Sequence, residues 1–190
     1  MRIISGTARG TKLYTLDGIT TRPTLDRVKE SIFNIIQSDI VDANVLDLFS
    51  GSGAIGLELL SRGAKRAVLC DNSKEAIQII KKNIEKTHLK EKAEVFNMNY
   101  EELIKKLENQ KFDIIYIDPP YKTDYVKKSI ENILKYKLVD NKTKIIIESD
   151  DEERILHDIE KQDVEVSDKR KYGRASIIFL KYIQETPRKG

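Results

Sequence analysis

Ile114-Ile115-Tyr116-Ile117-Asp118-Pro119-Pro120-Tyr121 decides how this chain is read, because four β-prone residues run straight into a carboxylate, two rigid residues and an aromatic ring. A short, wholly apolar run predicts a buried strand, and open α/β sheets bind their ligands outside strand carboxyl ends. Neither proline can donate to a ladder and both have fixed φ, so the strand stops at Asp118 and the carbonyls beyond it keep set directions. That suits a site needing stationary acceptors. Tyr121 adds a flat face on which a planar ring could stack.

From Asn44 onward the chain alternates strand and helix on both sides of this stretch. Val45–Phe49 reads as a strand, followed by Ser50-Gly51-Ser52-Gly53 and a helix through Leu60 that stops near Gly63. Ala67–Asp71 is a second strand. Asn72 and Glu75 have capping-box spacing at the head of a helix reaching about Lys86. A third strand at Ala93–Phe96 and a helix at Tyr100–Leu107 precede Ile114. After Tyr121 come helices at 125–136 and 152–161 and strands at 144–148, 164–166 and 176–182. This alternation predicts an α/β fold, a Rossmann-like, doubly wound, seven-stranded and mostly parallel sheet over residues 44–185, with a frayed tail at 186–190. Residues 1–43 form an extension. Within it residues 2–14 predict a hairpin carrying exposed bases, and Thr24 is placed to cap a helix that turns Leu25, Val28, Ile32, Ile35 and Ile36 inward. Arg27, Lys29 and Glu30 fall off that face, toward solvent or a ligand.

Length and composition agree with a single domain. A chain of 190 residues, 39% hydrophobic and 34% charged, can bury a full α/β core, and no apolar run reaches the roughly 20 residues that span a membrane. The start is too short in its apolar part for a secretory signal, so a cytoplasmic protein is expected. Cys70 is the one cysteine and reads as a core strand residue; with His88 and His157 as the two histidines, no metal site is expected. Charge is unevenly placed. Residues 1–30 hold six bases against three acids and residues 169–190 seven against one, leaving 21 bases and 27 acids between. Basic ends around an acidic centre suit a polyanion at the periphery and a cation or neutral group inside.

Gly51-Ser52-Gly53-Ala54-Ile55-Gly56 matches G-x-G-x-x-G, and Asp71 ends the next strand twenty residues beyond Gly51. Taken alone, that is a dinucleotide fingerprint and points to a nicotinamide or flavin oxidoreductase. Asp47 argues against it. Unit charges near 4 Å at an effective dielectric of 20 interact by about 4 kcal/mol, so a carboxylate ending the first strand would repel a pyrophosphate and attract a cation. S-adenosyl-L-methionine, with an ammonium, a sulfonium and no phosphate, fits that sign. Asp71 is then placed for the ribose hydroxyls.

Asp47-Leu48-Phe49-Ser50-Gly51-Ser52-Gly53 together with Asp118-Pro119-Pro120-Tyr121 resembles the paired motifs of class I S-adenosylmethionine-dependent methyltransferases that modify exocyclic amines. With Arg2-Ile3-Ile4-Ser5-Gly6, Arg9-Gly10, Thr21-Arg22-Pro23-Thr24 and Glu30-Ser31-Ile32-Phe33-Asn34, nearly the whole chain resembles the RsmD family, the 16S ribosomal RNA guanine-N2 methyltransferases. The resemblance implies methyl transfer to N2 of one guanine in small-subunit ribosomal RNA; the RNA, free or in an assembling particle, is the expected partner of a monomer that needs no metal. A DNA adenine-N6 methyltransferase shares the chemistry, but about 190 residues leave no room for the recognition domain such enzymes usually carry. Asp118, Pro119, Pro120 and Tyr121 are the expected catalytic residues. Those for the cofactor are Asp47, Phe49, Gly51, Gly53, Asp71, Asn72, Asn99 and Tyr100. The family commonly has Asp where Asn99 stands, and an offset of two would make Asn97 the adenine contact instead. Arg2, Arg9, Lys12, Arg22, Thr24, Arg27 and Tyr121 are expected to meet the RNA.

Overall fold

A computed structural model describes residues 1–16, 23–120 and 124–183, with the side chains of residues 23–27 outside that description. The chain enters through helix α1 (Pro23–Ile35) and one short turn of helix, α2 (Gln37–Ile40). It then alternates β1 (Asn44–Asp47), α3 (Ala54–Ser61), β2 (Arg66–Asp71), α4 (Lys74–Thr87), β3 (Ala93–Asn97), α5 (Tyr100–Lys106), β4 (Ile114–Ile117), α6 (Tyr125–Lys135), β5 (Lys144–Ser149) and α7 (Glu152–Ile159). A hairpin of β6 (Val164–Tyr172) and β7 (Ala175–Tyr182) closes the sheet. Its seven strands run in the order β3-β2-β1-β4-β5-β7-β6, with β7 antiparallel to both neighbours and the other pairings parallel. This is the α/β architecture the alternation predicts.

Parallel strands covered on both faces must be apolar throughout, and β4 is buried at all four positions. One face packs Val45, Ile114 and Ile146 against α1, α3 and α4. The other packs Leu46, Ile115 and Ile147 against α5, α6 and α7. β1 sits between β2 and β4, so the chain's winding reverses at its carboxyl end and opens a crevice there.

Several local expectations change. Helix α1 begins at Pro23, where a missing N–H costs nothing, so Thr24 lies inside the helix and not at its cap. Helix α4 is capped by Ser73, whose side chain accepts from the Ala76 N–H, in place of Asn72. The last hairpin is longer than its apolar residues suggest, because β6 extends to Tyr172 as a charged edge strand with a register slip between Val166 and Asp168. Of the two directions open to Lys29, solvent or a ligand, the fold takes the inward one, and the side chain is buried.

The N-terminal segment doubles back as expected but, among the described residues, forms a single ladder bridge, Arg2 to Lys12. Buried polar groups of α3 and α4 hold it. The Glu58 carboxylate, fully buried, accepts the N–H groups of Ile4 (2.8 Å) and Ser5 (3.0 Å) and the Arg62 guanidinium (2.8 Å), with the Lys29 ammonium at 3.8 Å. Ser61 Oγ accepts from Ala8 N–H and donates to the Ser5 carbonyl, while the Asn83 amide exchanges two bonds with the Tyr14 backbone. At Gly6, φ is +85° and a Cβ would stand 1.8 Å from the Ser61 carbonyl oxygen, so no side chain fits. Ile3 and Leu13 thereby join the core beneath α3. Removing the anchor by Glu58→Ala strands two N–H groups and two cations. Breaking a buried charge cluster in this way is expected to cost about 3–5 kcal/mol in urea unfolding, with faster amide exchange at Ile4 and Ser5; unchanged stability and exchange would contradict the clamp.

Candidate active site

Strand register gathers acids that the sequence scatters. In the order β2-β1-β4-β5, adjacent strands end at or next to Asp71, Asp47, Asp118 and Glu148. Asp47 lies opposite Leu69 and Tyr116, and Ile117 opposite Ile147, so the pleat turns all four carboxylates to one face of the sheet. They line one cavity of about 570 Å³ at the crevice beside β1, a size suited to a cofactor. None of the four forms an ion pair among the described residues.

Each acid is fixed differently. Asp47, 2% exposed, accepts the Gly56 N–H at 3.2 Å; burial nevertheless pushes its carboxyl from near 3.8 up to about 7, with the nearby Asp71 charge adding to the rise. Asp71 accepts the N–H groups of Gly51 and Ser73, each at 2.9 Å, and so ties the loop after β1 to the loop after β2. Gly51 and Gly53 take φ of +55° and +77°, which lets the turn between β1 and α3 pass under the cavity. Burial, then the Glu148 and Asp47 charges, hold Asp118 well above the usual carboxylate range. Glu148 Oε2 accepts the Tyr116 hydroxyl at 2.6 Å. Cys70 is buried and its thiol is pushed up to about 12, consistent with a core residue and not a nucleophile.

One wall is aromatic. Phe49, Tyr100 and Tyr125 pack as a triad with ring centroids 5.0 to 6.0 Å apart, Phe49 and Tyr125 nearly parallel. Asn99 caps α5 through the Glu101 N–H and lines the cavity together with Asn72 and Met98. Asn97 is outside the lining, its amide being bonded to the carbonyls of Asp71 and Asn72. Of the two, Asn99 is the one that lines the cavity.

The family model described as conserved hypothetical protein 95 matches residues 1–181. The ribosomal RNA small subunit methyltransferases D of Haemophilus influenzae and Escherichia coli K12 are 34% and 39% identical to it, over 82% and 71% of this chain and 82% and 67% of theirs. The chain belongs to the RsmD family. A Bacillus subtilis member provisionally named rRNA methyltransferase YlbH is 34% identical over 95% of this chain and 98% of its own. The solved structure of H. influenzae HI0767, provisionally named a methylase, superposes with a TM-score of 0.79 at 29% identity, covering 96% of this chain and 98% of that one.

Against this RsmD-family scaffold, Asp47, Phe49, Gly51, Asp71, Asn72, Asn99, Tyr100, Asp118, Pro119 and Pro120 all line the cavity. Gly53 does not; it shapes the turn beneath. Arg2, Arg9 and Lys12 are exposed on the N-terminal segment, outside the lining. Arg22 and Tyr121 lie outside the described residues, as do the side chains of Thr24 and Arg27. Sequence reasoning missed Tyr116, Tyr125 and Glu148, all cavity-lining, while Lys29, expected to face solvent or a ligand, lines the cavity too. Glu148 carried a signal: like Asp47 and Asp118 it closes an apolar strand, Ile145-Ile146-Ile147. No described group of three or more His, Cys, Asp and Glu residues is placed to hold a metal, and no described helix is long and apolar enough to cross a membrane.

The raised Asp47 has a measurable consequence. Between its ordinary value and about 7 the folded protein binds a proton that the unfolded chain releases, so its contribution to stability falls as pH rises through that window. At about 1.4 kcal/mol per pH unit the loss is roughly 4 kcal/mol. Asp47→Asn is expected to flatten the difference between urea unfolding at pH 5 and at pH 8; an equal difference in both proteins would contradict the assignment.

Proposed function

We propose that this protein transfers a methyl group from S-adenosylmethionine to the exocyclic N2 amine of a guanine in small-subunit ribosomal RNA. The observation that carries the reading is the position of Asp118 and Pro119 in the lining of an acidic cavity where, among the described residues, no cation is paired with those acids. Relatives in the family are named ribosomal RNA small subunit methyltransferases. The cavity suits the cofactor in sign and shape. Asp47 accepts a positive group, Asp71 keeps lone pairs for ribose hydroxyls beside its two backbone bonds, and Asn99 with the Phe49–Tyr100–Tyr125 wall holds a flat base. Bound there, S-adenosylmethionine supplies an electrophilic methyl on a sulfonium.

An exocyclic amine is a weak nucleophile because its lone pair is delocalised into the ring. Asp118 and the Pro119 carbonyl accept its two hydrogens, draw the nitrogen toward tetrahedral geometry and aim the lone pair into the cavity. Positioning of this kind supplies on the order of several kcal/mol of the acceleration. Once alkylated, the nitrogen is strongly acidic, and Asp118, its proton affinity raised by burial and by two neighbouring carboxylates, takes the proton. Tyr121 follows directly in sequence and stacks the extruded base, a contact worth about 1–3 kcal/mol.

Phosphate contacts come from two edges of the crevice. Arg9 and Lys12 are exposed on the N-terminal segment, and Arg22 and Arg27 follow it in sequence. Lys171 and Arg174 flank the turn of the last hairpin, which the pairing of Ser176 with Ser149 puts at the catalytic end of β5. The substrate is free ribosomal RNA or an assembling small subunit, and the enzyme acts as a monomer in the cytoplasm.

Tritiated S-adenosylmethionine incubated with unmodified small subunits, naked ribosomal RNA and duplex DNA is expected to label N2-methylguanosine in the ribosomal samples. Label in N6-methyladenine, or none, would overturn the reading. Asp118→Ala is expected to lower turnover by about 10²–10⁴-fold while cofactor affinity stays near wild type. The acceptor is the ionised carboxylate, so turnover falls as pH drops, and the fall is expected above the usual carboxylate range. A fall centred near 4 would contradict that.

A further inference from the structure

We propose that Glu148 selects guanine among the amine-bearing bases by accepting its ring N1–H while Asp118 and the Pro119 carbonyl hold the N2 amine; this rests on the guanine-N2 reading above. Glu148 follows Ile147 as Asp118 follows Ile117, and these two isoleucines are partners in register across adjacent parallel strands. Adjacent strands stand about 4.8 Å apart, so the two carboxylates enter the cavity side by side, within reach of neighbouring atoms of one base.

Glu148 is also held still. Its Oε2 takes the hydroxyl of Tyr116, which is itself 2% exposed on β4, and that bond fixes the side chain's direction. Among the described residues no donor reaches Oε1, which is left as an acceptor in the cavity. A donor on a bound ligand can meet it there.

The chemistry of the bases supplies the discrimination. Guanine, adenine and cytosine all carry an exocyclic amine. In adenine and cytosine the Watson–Crick-edge ring nitrogen beside that amine is a lone-pair acceptor, whereas in guanine N1 beside the N2 amine is a donor. A second carboxylate next to the amine-holding group meets an N–H only when the base is guanine; with either other base it meets a lone pair, and two buried acceptors are left facing each other. Sites built to bond a substrate N–H reject analogues lacking it by factors as large as about 10⁴.

2-Aminopurine separates this role from a structural one, because it keeps the amine at C2 but presents a lone pair at N1. Small-subunit RNA carrying either guanine or 2-aminopurine at the labelled position, introduced by ligation and reconstituted with the subunit proteins, is methylated by wild type and by Glu148→Gln. The glutamine amide oxygen can still accept from Tyr116, and its NH₂ can donate to a ring lone pair. Wild type is expected to prefer guanine, and Glu148→Gln to shift the guanine to 2-aminopurine ratio of kcat/KM by about 100-fold toward the analogue. A variant that slows both substrates equally, or neither, overturns the role of Glu148 and leaves the methyltransferase reading in place. Wild-type label in a natural base other than guanine overturns both.

Discussion

The mutual repulsion of four carboxylates at the ends of neighbouring strands is the constraint on which the site depends. Each of Asp71, Asp47, Asp118 and Glu148 closes a mostly apolar strand, and Asp47 among them is buried. A protein commonly resolves such a cluster with lysines or arginines. Here the described residues form no ion pair with any of the four. The charge is instead tempered by protonation, visible in the upward displacement of Asp47 and Asp118. A ligand carrying positive charge relieves that tension, which makes affinity for a sulfonium a consequence of fold geometry and not of one dedicated residue.

Cations do exist close by, but they are committed. Lys29 lines the cavity yet reaches the Arg2 carbonyl and lies 3.8 Å from Glu58, which also carries Arg62. Glu58 faces the N-terminal segment and its two N–H groups, so the segment's attachment and the diversion of Lys29 share one buried acid. Met1 and Val28 complete that side of the cavity. The extension before β1 is thus a wall of the site as well as a platform for bases.

Much of this was legible in the chain. Apolar strands ending in Asp47 and Asp118, the glycine turn after β1 and Asp71 twenty residues on are local patterns, and the fold places them as their spacing implies. What escaped was set by register and packing. Glu148 becomes a neighbour of Asp118 only because β5 pairs with β4, and Tyr125 meets Phe49 only because α6 packs beside α5. For Lys29 the choice between solvent and a ligand stayed open, because helical periodicity cannot show that a returning segment covers the helix's polar side. The capping of α4 fell to Ser73, one residue after Asn72, since several short polar residues in a row leave the choice to three-dimensional fit.

The register slip in β6 governs how the sheet meets other molecules. An open sheet has two unpaired borders, here β3 and β6, and a long flat apolar border would recruit a strand from another chain. β6 bends at Val166–Asp168 and then presents Asp168-Lys169-Arg170-Lys171, while β3 is five residues long and carries Glu94 in contact with Arg66. Both borders are poor templates for cross-chain pairing. The colloidal behaviour of the protein is thus guarded at the two places where its backbone is least satisfied.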